Sequence, residues 1–367
     1  MINLRRQYLN IKGEIDKAID SVLNSTQYIK GPIVTEFESN LANYLNIEHV
    51  ISCANGTDAL QIALMSLDLN EGDEVIVPSF TYVATAEVIA LLNLKPVMVD
   101  VDISTFNIAV DSIKEAITEN TKVIIPVHLF GQCCDMEQIM ELAKSNNIWV
   151  IEDNAQAIGS VYQDSEGKKY NTGTIGDIGC TSFFPSKNLG CYGDGGAIFC
   201  KDSDLARRIR MITNHGQSKK YHHDIVGCNS RLDSIQAAIL NVKLNYLDEY
   251  NEARSNAAEY YNEQLSDIKF LKNPTESTYS THVYHQYTLQ VLNGKRDQLI
   301  DYLTKCQFPS AIYYPIPLYQ QKAYFKQGLQ HKNSDYLCKS VLSIPIYPEI
   351  TKKYQDEIIL KLSKFEI

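Results

Sequence analysis

A lysine with apolar neighbours is the first residue of this sequence that could carry out chemistry. Lys187 ends the segment 182–187, which contains two phenylalanines, and the glycine-rich run 193–196 follows it. An amine beside apolar groups loses hydration, and this loss lowers its pKa. Such an amine can attack a carbonyl group and hold it as a Schiff base. Most lysines are instead solvated surface charges, so the rest of the sequence has to decide between the two interpretations.

A carboxylate at the end of a strand-like run is the second candidate. Asp153 closely follows the apolar residues 148–151. It could cap a helix, bind a metal ion, or pair with the protonated nitrogen of a pyridine ring and keep that ring an electron sink. No group of residues with metal-binding spacing accompanies it, so the sequence predicts no metal site.

A possible phosphate site lies near residue 56. Gly56 and Thr57 follow the strand-like run 49–53 and open a helical pattern. A glycine and a hydroxyl at a helix N-terminus can hold a phosphate through free backbone N–H groups and the helix dipole. Plain capping of the helix by Asn55 or Thr57 explains the same residues equally well. The chain has neither a GxGxxG nor a GxxxxGK[ST] motif, which argues against dinucleotide binding and P-loop chemistry and favours a single phosphate.

The elements that must position these residues alternate along the chain. Between residues 49 and 200, short β-rich runs alternate with helical patterns, which predicts an α/β fold with a mostly parallel sheet and helices on both faces. Ligands of such sheets bind at the carboxyl ends of the strands. Beyond residue 232, longer helical patterns, a strand at 284–291 and a helix at 296–306 predict a smaller C-terminal α+β domain. We therefore divide the chain into a large domain, 1–245, and a small domain, 246–367.

Composition excludes several classes of protein. Hydrophobic content of 44% and charged content of 21% are typical of a globular protein, and the net charge of −10 argues against nucleic-acid binding. No signal-peptide pattern and no apolar run of membrane-spanning length occur, so we expect a cytoplasmic protein. Nine cysteines without a CxxC pair indicate reduced, small hydrophobic residues rather than disulfides or zinc ligands.

Three motifs in this order resemble the DegT/DnrJ/StrS family of sugar aminotransferases. They are residues 55–60, residues 152–156, and the segment 182–187 with the glycine-rich run 193–196. The similarity extends over nearly the whole chain, from 27–32 to 313–318. This resemblance implies the fold of fold-type-I aminotransferases, with pyridoxal 5′-phosphate (PLP) as cofactor. Some relatives carry histidine at the lysine position and act as dehydratases, so Lys187 favours transamination.

The resemblance also implies a role for each matching residue. Lys187 would be the Schiff-base lysine and the proton carrier, and Asp153 would pair with the pyridine nitrogen. Gln156 would hydrogen-bond the ring hydroxyl, and Tyr82 would stack on the ring, although by itself it could equally be a packed core tyrosine. The phosphate would be held by Gly56, Thr57 and Ser182 and by Asn229 of the partner subunit, which implies a homodimer with shared active sites.

The substrate is the finer question. Residues 51–62, 182–199 and 229–233 resemble a subgroup that aminates UDP-2-acetamido-2-deoxy-3-oxo-D-glucuronate for bacterial surface polysaccharide such as O-antigen, with L-glutamate as the expected donor. Arg231 could bind the uronate carboxylate, because its planar guanidinium group can donate two parallel hydrogen bonds to a carboxylate. Alternatively, it could form an intersubunit salt bridge. Tyr313 and Tyr314 are expected to contact the sugar, and a phenol at position 313 can donate a hydrogen bond where close relatives carry histidine.

Two other functions fit the same sequence features. The substrate could be a dTDP-3-oxo- or 4-oxo-6-deoxyhexose, which carries no carboxylate for Arg231 to read. The protein could also be a non-catalytic ligand sensor on the same fold. Lys187 argues against the sensor, because binding alone needs no Schiff base.

Overall fold

The computed structural model describes residues 1–325 and 328–365, so the ends of the predicted small domain at 366–367 and its residues 326–327 lie outside the described residues. The helices are α1 (Leu4–Asn10), α2 (Lys12–Ser25), α3 (Pro32–Leu45), α4 (Gly56–Met65), α5 (Ala84–Leu91), α6 (Val110–Ala116), α7 (Met136–Asn146), α8 (Ser203–Ile212), α9 (Ser234–Leu244), α10 (Leu247–Leu265), α11 (Arg296–Lys305), α12 (Lys332–Ser340) and α13 (Lys352–Ser363). The strands are β1 (His49–Cys53), β2 (Glu74–Pro78), β3 (Lys95–Val99), β4 (Thr121–Ile124), β5 (Trp149–Asp153), β6 (Val161–Gln163), β7 (Lys169–Asn171), β8 (Ile178–Ser182), β9 (Gly196–Cys200), β10 (Gln217–Lys219), β11 (His222–His223), β12 (Leu271–Lys272), β13 (Tyr287–Val291) and β14 (Val341–Ile344).

The large sheet has the strand order β1-β9-β8-β5-β4-β2-β3. Neighbours from β8 to β3 are parallel, while β9 runs antiparallel to both β8 and β1. The prediction of a mostly parallel α/β sheet is therefore confirmed. The single reversed strand matters for the site, because its first residue lies between the last residues of β1 and β8.

Helices cover both faces of this sheet, as predicted. Along β2, Val75 and Val77 pack into one core cluster with α4 and α5, while Ile76 packs into another with α7. Successive strand side chains point to opposite faces, so a strand buried on both sides is apolar throughout rather than alternating. Every residue of β2 is buried, which explains why its sequence reads as a continuous hydrophobic run.

The C-terminal part forms its own layer of three antiparallel strands, β12, β13 and β14, packed against α10, α11 and α13. The predicted strand at 284–291 begins only at Tyr287. Tyr284 has φ of +44°, a left-handed conformation that an extended strand cannot contain. Helix α10 begins at Leu247, next to the predicted division at 245/246, which remains a prediction.

None of the described helices combines the length and the apolar character needed to cross a membrane.

Candidate active site

The carboxyl ends of three strands converge at one edge of the sheet. Ser182, the last residue of β8, and Cys53, the last residue of β1, both pair with Gly196 at the start of β9. Asp153 ends β5, the other neighbour of β8. The register therefore brings the loops after β1, β5 and β8 together, where the fold rule places a ligand.

The loop after β1 forms a cradle that suits one phosphate. Asn55 caps α4, because its side chain accepts a hydrogen bond from the Asp58 amide at 2.8 Å, so of the two capping interpretations the structure selects Asn55. A Cβ on Gly56 would lie only 2.6 Å from the Ser182 Cβ, and this close approach requires a glycine. In the described structure the amides of Gly56 and Thr57 have no acceptor and remain available to an anion.

Asp153 is a buried carboxylate held in a fixed orientation. Thr85 Oγ1 donates to its Oδ2 at 2.9 Å, and the Ala155 amide donates to its Oδ1 at 3.2 Å. Burial raises the pKa of Asp153, whereas these donors and the charge of Lys187 act in the opposite direction. A cation placed beside the carboxylate would therefore be strongly favoured. Thr85 lies in the first turn of α5, and no sequence motif indicated its contact with Asp153.

Lys187 lies in the tight loop that leaves β8. Its backbone amide donates to Phe184 O at 2.8 Å, and the Cys191 amide returns to Phe183 O at 2.8 Å. Burial lowers the pKa of Lys187 to about 8, and the negative charge of Asp153 partly opposes this shift. The lowered pKa agrees with the expectation from the apolar neighbours. Within the described structure the Lys187 ammonium makes no hydrogen bond or ion pair, so the amine is free for a ligand.

Gln156 and two tyrosines form the opposite wall. Gln156 Oε1 accepts from the Phe130 amide at 2.7 Å, and its Nε2 donates to the Tyr314 hydroxyl at 3.1 Å. The second N–H of that amide can still reach a ring hydroxyl. Tyr82 is 57% exposed, with its ring centroid 6.2 Å from that of Tyr314. The alternative of a packed core tyrosine at position 82 is therefore wrong, because this side chain lies at the open edge of the sheet.

The segment 229–231 runs beside the phosphate cradle. The Ser230 hydroxyl accepts a hydrogen bond from the Ala54 amide at 3.0 Å, one residue before the cap of α4. Asn229 is exposed and Arg231 is half-buried. Tyr313 packs edge-to-face on Tyr314 with ring centroids 6.1 Å apart. The roles of these residues toward a substrate or a partner subunit remain predictions.

A buried pair behind Asp153 supports the strand that carries it. Glu152 accepts hydrogen bonds from His128 Nε2 at 2.8 Å and from the amides of Gly173, Ile175 and Gly176. These donors lower the pKa of Glu152 against the effect of burial. His128 and Glu152 also lie within 4.8 Å of the Cys133 thiol, a set that could in principle hold a metal ion. The hydrogen bonds already use these oxygens, and His128 Nδ1 accepts from the Cys134 amide, so we interpret the cluster as structural.

A buried lysine on α9 is hydrogen-bonded to the loop that contains Lys187. Lys243 on α9 is only 1% exposed, and its ammonium donates to Gly190 O at 2.5 Å. Gly190 closes the loop so tightly that a Cβ there would lie 2.5 Å from Pro185 O. No sequence pattern predicted this lysine, because it lies in an ordinary amphipathic helix far along the chain.

We expect this lysine to make stability depend on pH. Burial lowers the pKa of Lys243 to about 8 from its ordinary value of 10.5. Between these two values the unfolded chain binds the extra proton, so the free energy of unfolding rises with pH across this window, by up to about 1.4 kcal/mol for each unit of pKa difference. Lys243→Met should reduce that rise in urea unfolding measured from pH 8 to 10.5. Equal pH slopes for the two proteins would contradict the expectation.

The fold and the site together are those of an aminotransferase. Residues 9–363 match the DegT/DnrJ/EryC1/StrS aminotransferase family. The chain is 46% identical over 347 residues to the UDP-2-acetamido-2-deoxy-3-oxo-D-glucuronate aminotransferase of Pseudomonas aeruginosa, covering 95% of this chain and 94% of the relative. It is 40% identical over 365 residues to the dTDP-3-amino-3,6-dideoxy-alpha-D-galactopyranose transaminase of Aneurinibacillus thermoaerophilus, covering 99% and 98%.

A solved structure supports the same assignment. The crystal structure of NtdA from Bacillus subtilis with bound cofactor PMP superposes with a TM-score of 0.90 at 33% identity, covering 96% of this chain and 81% of that chain. The chain therefore belongs to the DegT/DnrJ/EryC1/StrS aminotransferase family. The predictions of the family, the fold class, an aminotransferase and PLP as the cofactor are confirmed.

Proposed function

We propose that this protein uses PLP to transfer an amino group from L-glutamate to the C3 keto group of UDP-2-acetamido-2-deoxy-3-oxo-D-glucuronate. One observation carries the reaction type: the free amine of Lys187, with a pKa of about 8, lies in the loop between the buried Asp153 and the phosphate cradle. The relative from Pseudomonas aeruginosa supports the choice of sugar.

The residues present fit PLP. The free amides of Gly56 and Thr57 beside Ser182 suit its single phosphate, and the oriented Asp153 suits its protonated ring nitrogen. When bound, PLP supplies the electron sink that stabilises negative charge at the carbon carrying the amino group. Asp153 is itself buried, and charge pairing at a buried carboxylate is stronger than in water.

Lys187 can then carry the proton. With a pKa of about 8, roughly one amine in ten is neutral at pH 7, against about one in three thousand for a lysine of ordinary pKa. A neutral amine accepts the proton at its Nζ, and the resulting ammonium returns it, as general acid–base catalysis requires. Lys243 donates to Gly190 O and so holds the loop that carries Lys187.

The wider setting follows from the resemblance. Amination of a nucleotide-linked uronate places the protein in the biosynthesis of bacterial surface polysaccharide such as O-antigen, in the cytoplasm where nucleotide sugars are made. A homodimer with shared active sites would add Asn229 of the partner subunit to the phosphate. Exposed apolar side chains near the site, Ile29, Phe184 and Val226 among them, support a subunit contact there.

Arg231 is the residue that distinguishes the candidate sugars. It is half-buried, and in the described residues no carboxylate pairs with it, so it can receive one from a ligand. The second candidate substrate is a dTDP-linked 6-deoxy keto-sugar, which the relative from Aneurinibacillus thermoaerophilus favours. Such a sugar has no carboxylate, so the two candidates predict different consequences of changing Arg231.

We expect Arg231→Met to lower kcat/KM for the uronate by about 30- to 160-fold, because a charge-assisted bidentate pair contributes about 2–3 kcal/mol. Turnover of a dTDP-3-oxo-6-deoxyhexose should change less than threefold. The measurement follows each aminated product by mass after incubation with glutamate. Arg231→Lys serves as the matched control and should fall between, since an ammonium keeps the charge but loses the fork. Undiminished uronate turnover by Arg231→Met would exclude the assignment.

A further inference from the structure

A second cation stands beside Arg231. The segment 28–30 pairs with the start of α9: Ile29 forms an antiparallel bridge with Asp233, and the Ser234 amide donates to Tyr28 O at 2.8 Å. In this antiparallel register Lys30 lies opposite Leu232, and Arg231 is the next residue along the facing segment. The positive charges of Arg231 and Arg210 lower the pKa of Lys30, after partial desolvation as the first cause. Lys30 and Arg231 are therefore neighbours.

The charge of Glu38 acts on Lys30 and raises its pKa, but this carboxylate is already engaged by other groups. Arg210 is already matched, because its Nη1 donates to Glu38 Oε2 at 2.9 Å. The other oxygen of Glu38 accepts from the Ser52 amide and hydroxyl at 2.9 and 2.8 Å. Across the described ranges, 1–325 and 328–365, neither Lys30 nor Arg231 forms an ion pair. In a protein of net charge −10, two adjacent unmatched cations indicate that an anion binds there.

The backbone of Lys30 adds an independent sign of function. Its φ is +55°, in the left-handed region that glycine adopts readily and in which a residue with a Cβ is strained. Strain of this kind clusters at active sites and ligand clamps. Lys30 directly precedes Gly31, which caps α3, so the helix does not require a lysine at this position.

We propose that Lys30 binds the diphosphate of the nucleotide sugar while Arg231 binds the carboxylate of the same molecule. This inference rests on the proposed nucleotide-sugar substrate. In a UDP-linked uronate, the diphosphate on C1 and the carboxylate on C5 flank the ring oxygen, so the two anions are neighbours, as the two cations are. The ammonium of Lys30 suits phosphate as a point charge, and the planar fork of Arg231 suits carboxylate.

Binding measurements on the PLP-loaded protein test the assignment without turnover. Calorimetry with UDP, uridine and UDP-N-acetylglucosamine separates the phosphate contact from the base and the sugar. Lys30→Met should weaken the binding of UDP and of UDP-N-acetylglucosamine about tenfold each and leave the affinity for uridine unchanged. Lys30→Arg should retain most of the affinity. Lys17→Met removes an exposed lysine elsewhere on the N-terminal helices and should change nothing.

Lys30→Gly separates binding from folding. Because glycine relieves the left-handed strain, the variant should have a Tm at or above that of the parent and still lose the same affinity for UDP. An unchanged Kd for UDP in Lys30→Met and Lys30→Gly would overturn the proposal, as would an equal loss of uridine binding. Failure of the uronate assignment looks different: the protein would aminate a dTDP-linked sugar, and Lys30→Met would weaken dTDP as it weakens UDP.

Discussion

Lys187→Ala should abolish transamination, with kcat reduced at least about a thousandfold, because the variant loses both the cofactor anchor and the proton carrier. Its amine has no other partner in the described structure and a pKa of about 8, so little rearrangement of the fold should accompany its loss. The purified parent should be yellow after loading with PLP, and the variant should lose the visible absorbance of the lysine-bound cofactor. Circular dichroism should remain unchanged.

Two controls make the Lys187 result specific. Lys201 is an exposed lysine directly after β9, and Lys201→Ala should keep both colour and activity. Added methylamine should restore part of the activity of Lys187→Ala by supplying a diffusible base, and it should not affect the parent. A parent protein that remains colourless after PLP loading would support the ligand-sensor alternative and contradict the enzyme.

Asp153→Asn should lower kcat by about a hundredfold or more and weaken PLP binding, because the amide keeps the shape but not the charge that a protonated ring nitrogen requires. The variant also makes a prediction for the protein without cofactor. The negative charge of Asp153 raises the pKa of Lys187, so its removal should lower that pKa below about 8. An amine-reactive reagent measures this shift: the pH dependence of lysine modification is compared between the parent and Asp153→Asn, and the modification seen in Lys187→Ala is subtracted as background.

Thr85→Val provides the matched comparison for Asp153. It removes the hydroxyl that donates to Asp153 Oδ2 and keeps the charge. We expect a smaller loss of kcat than in Asp153→Asn, and a slightly higher pKa of Asp153, because a hydrogen bond to the charged form is lost. If Thr85→Val and Asp153→Asn were equally impaired, orientation rather than charge would be the main contribution of the carboxylate.

The sequence was sufficient where function depends on strand ends. Asp153 and Ser182 end strands and Gly56 begins a helix, so alternation of short β-rich runs with helical patterns already placed them at one edge of a sheet. The sheet and both helical layers followed from the same periodicity, since burial on both faces produces continuous apolar runs. The resemblance then assigned the chemistry that periodicity cannot.

The contacts between distant segments could not be predicted in this way. Thr85 reaches Asp153 across 68 positions, and Lys243 reaches Gly190 across 53. Neither residue stands in a motif, because each acts by packing against another element rather than by local spacing. Exposure at the sheet edge was also beyond prediction from the residues alone. Without the resemblance Tyr82 would be assigned to the core, yet its position at the open edge of the sheet leaves it exposed. The turn at Tyr284 likewise depends on tertiary contacts rather than on strand propensity.

The side chains along β5 point alternately to its two sides, and this limits where the chain can accept an insertion or a deletion. Glu152 faces the scaffold through His128, and the next residue, Asp153, faces the reacting edge. A single-residue insertion or deletion within the strand would exchange the two faces, turning the Asp153 carboxylate toward the buried histidine. Viable length variants of this protein should therefore map to loops such as 164–168 rather than to β5.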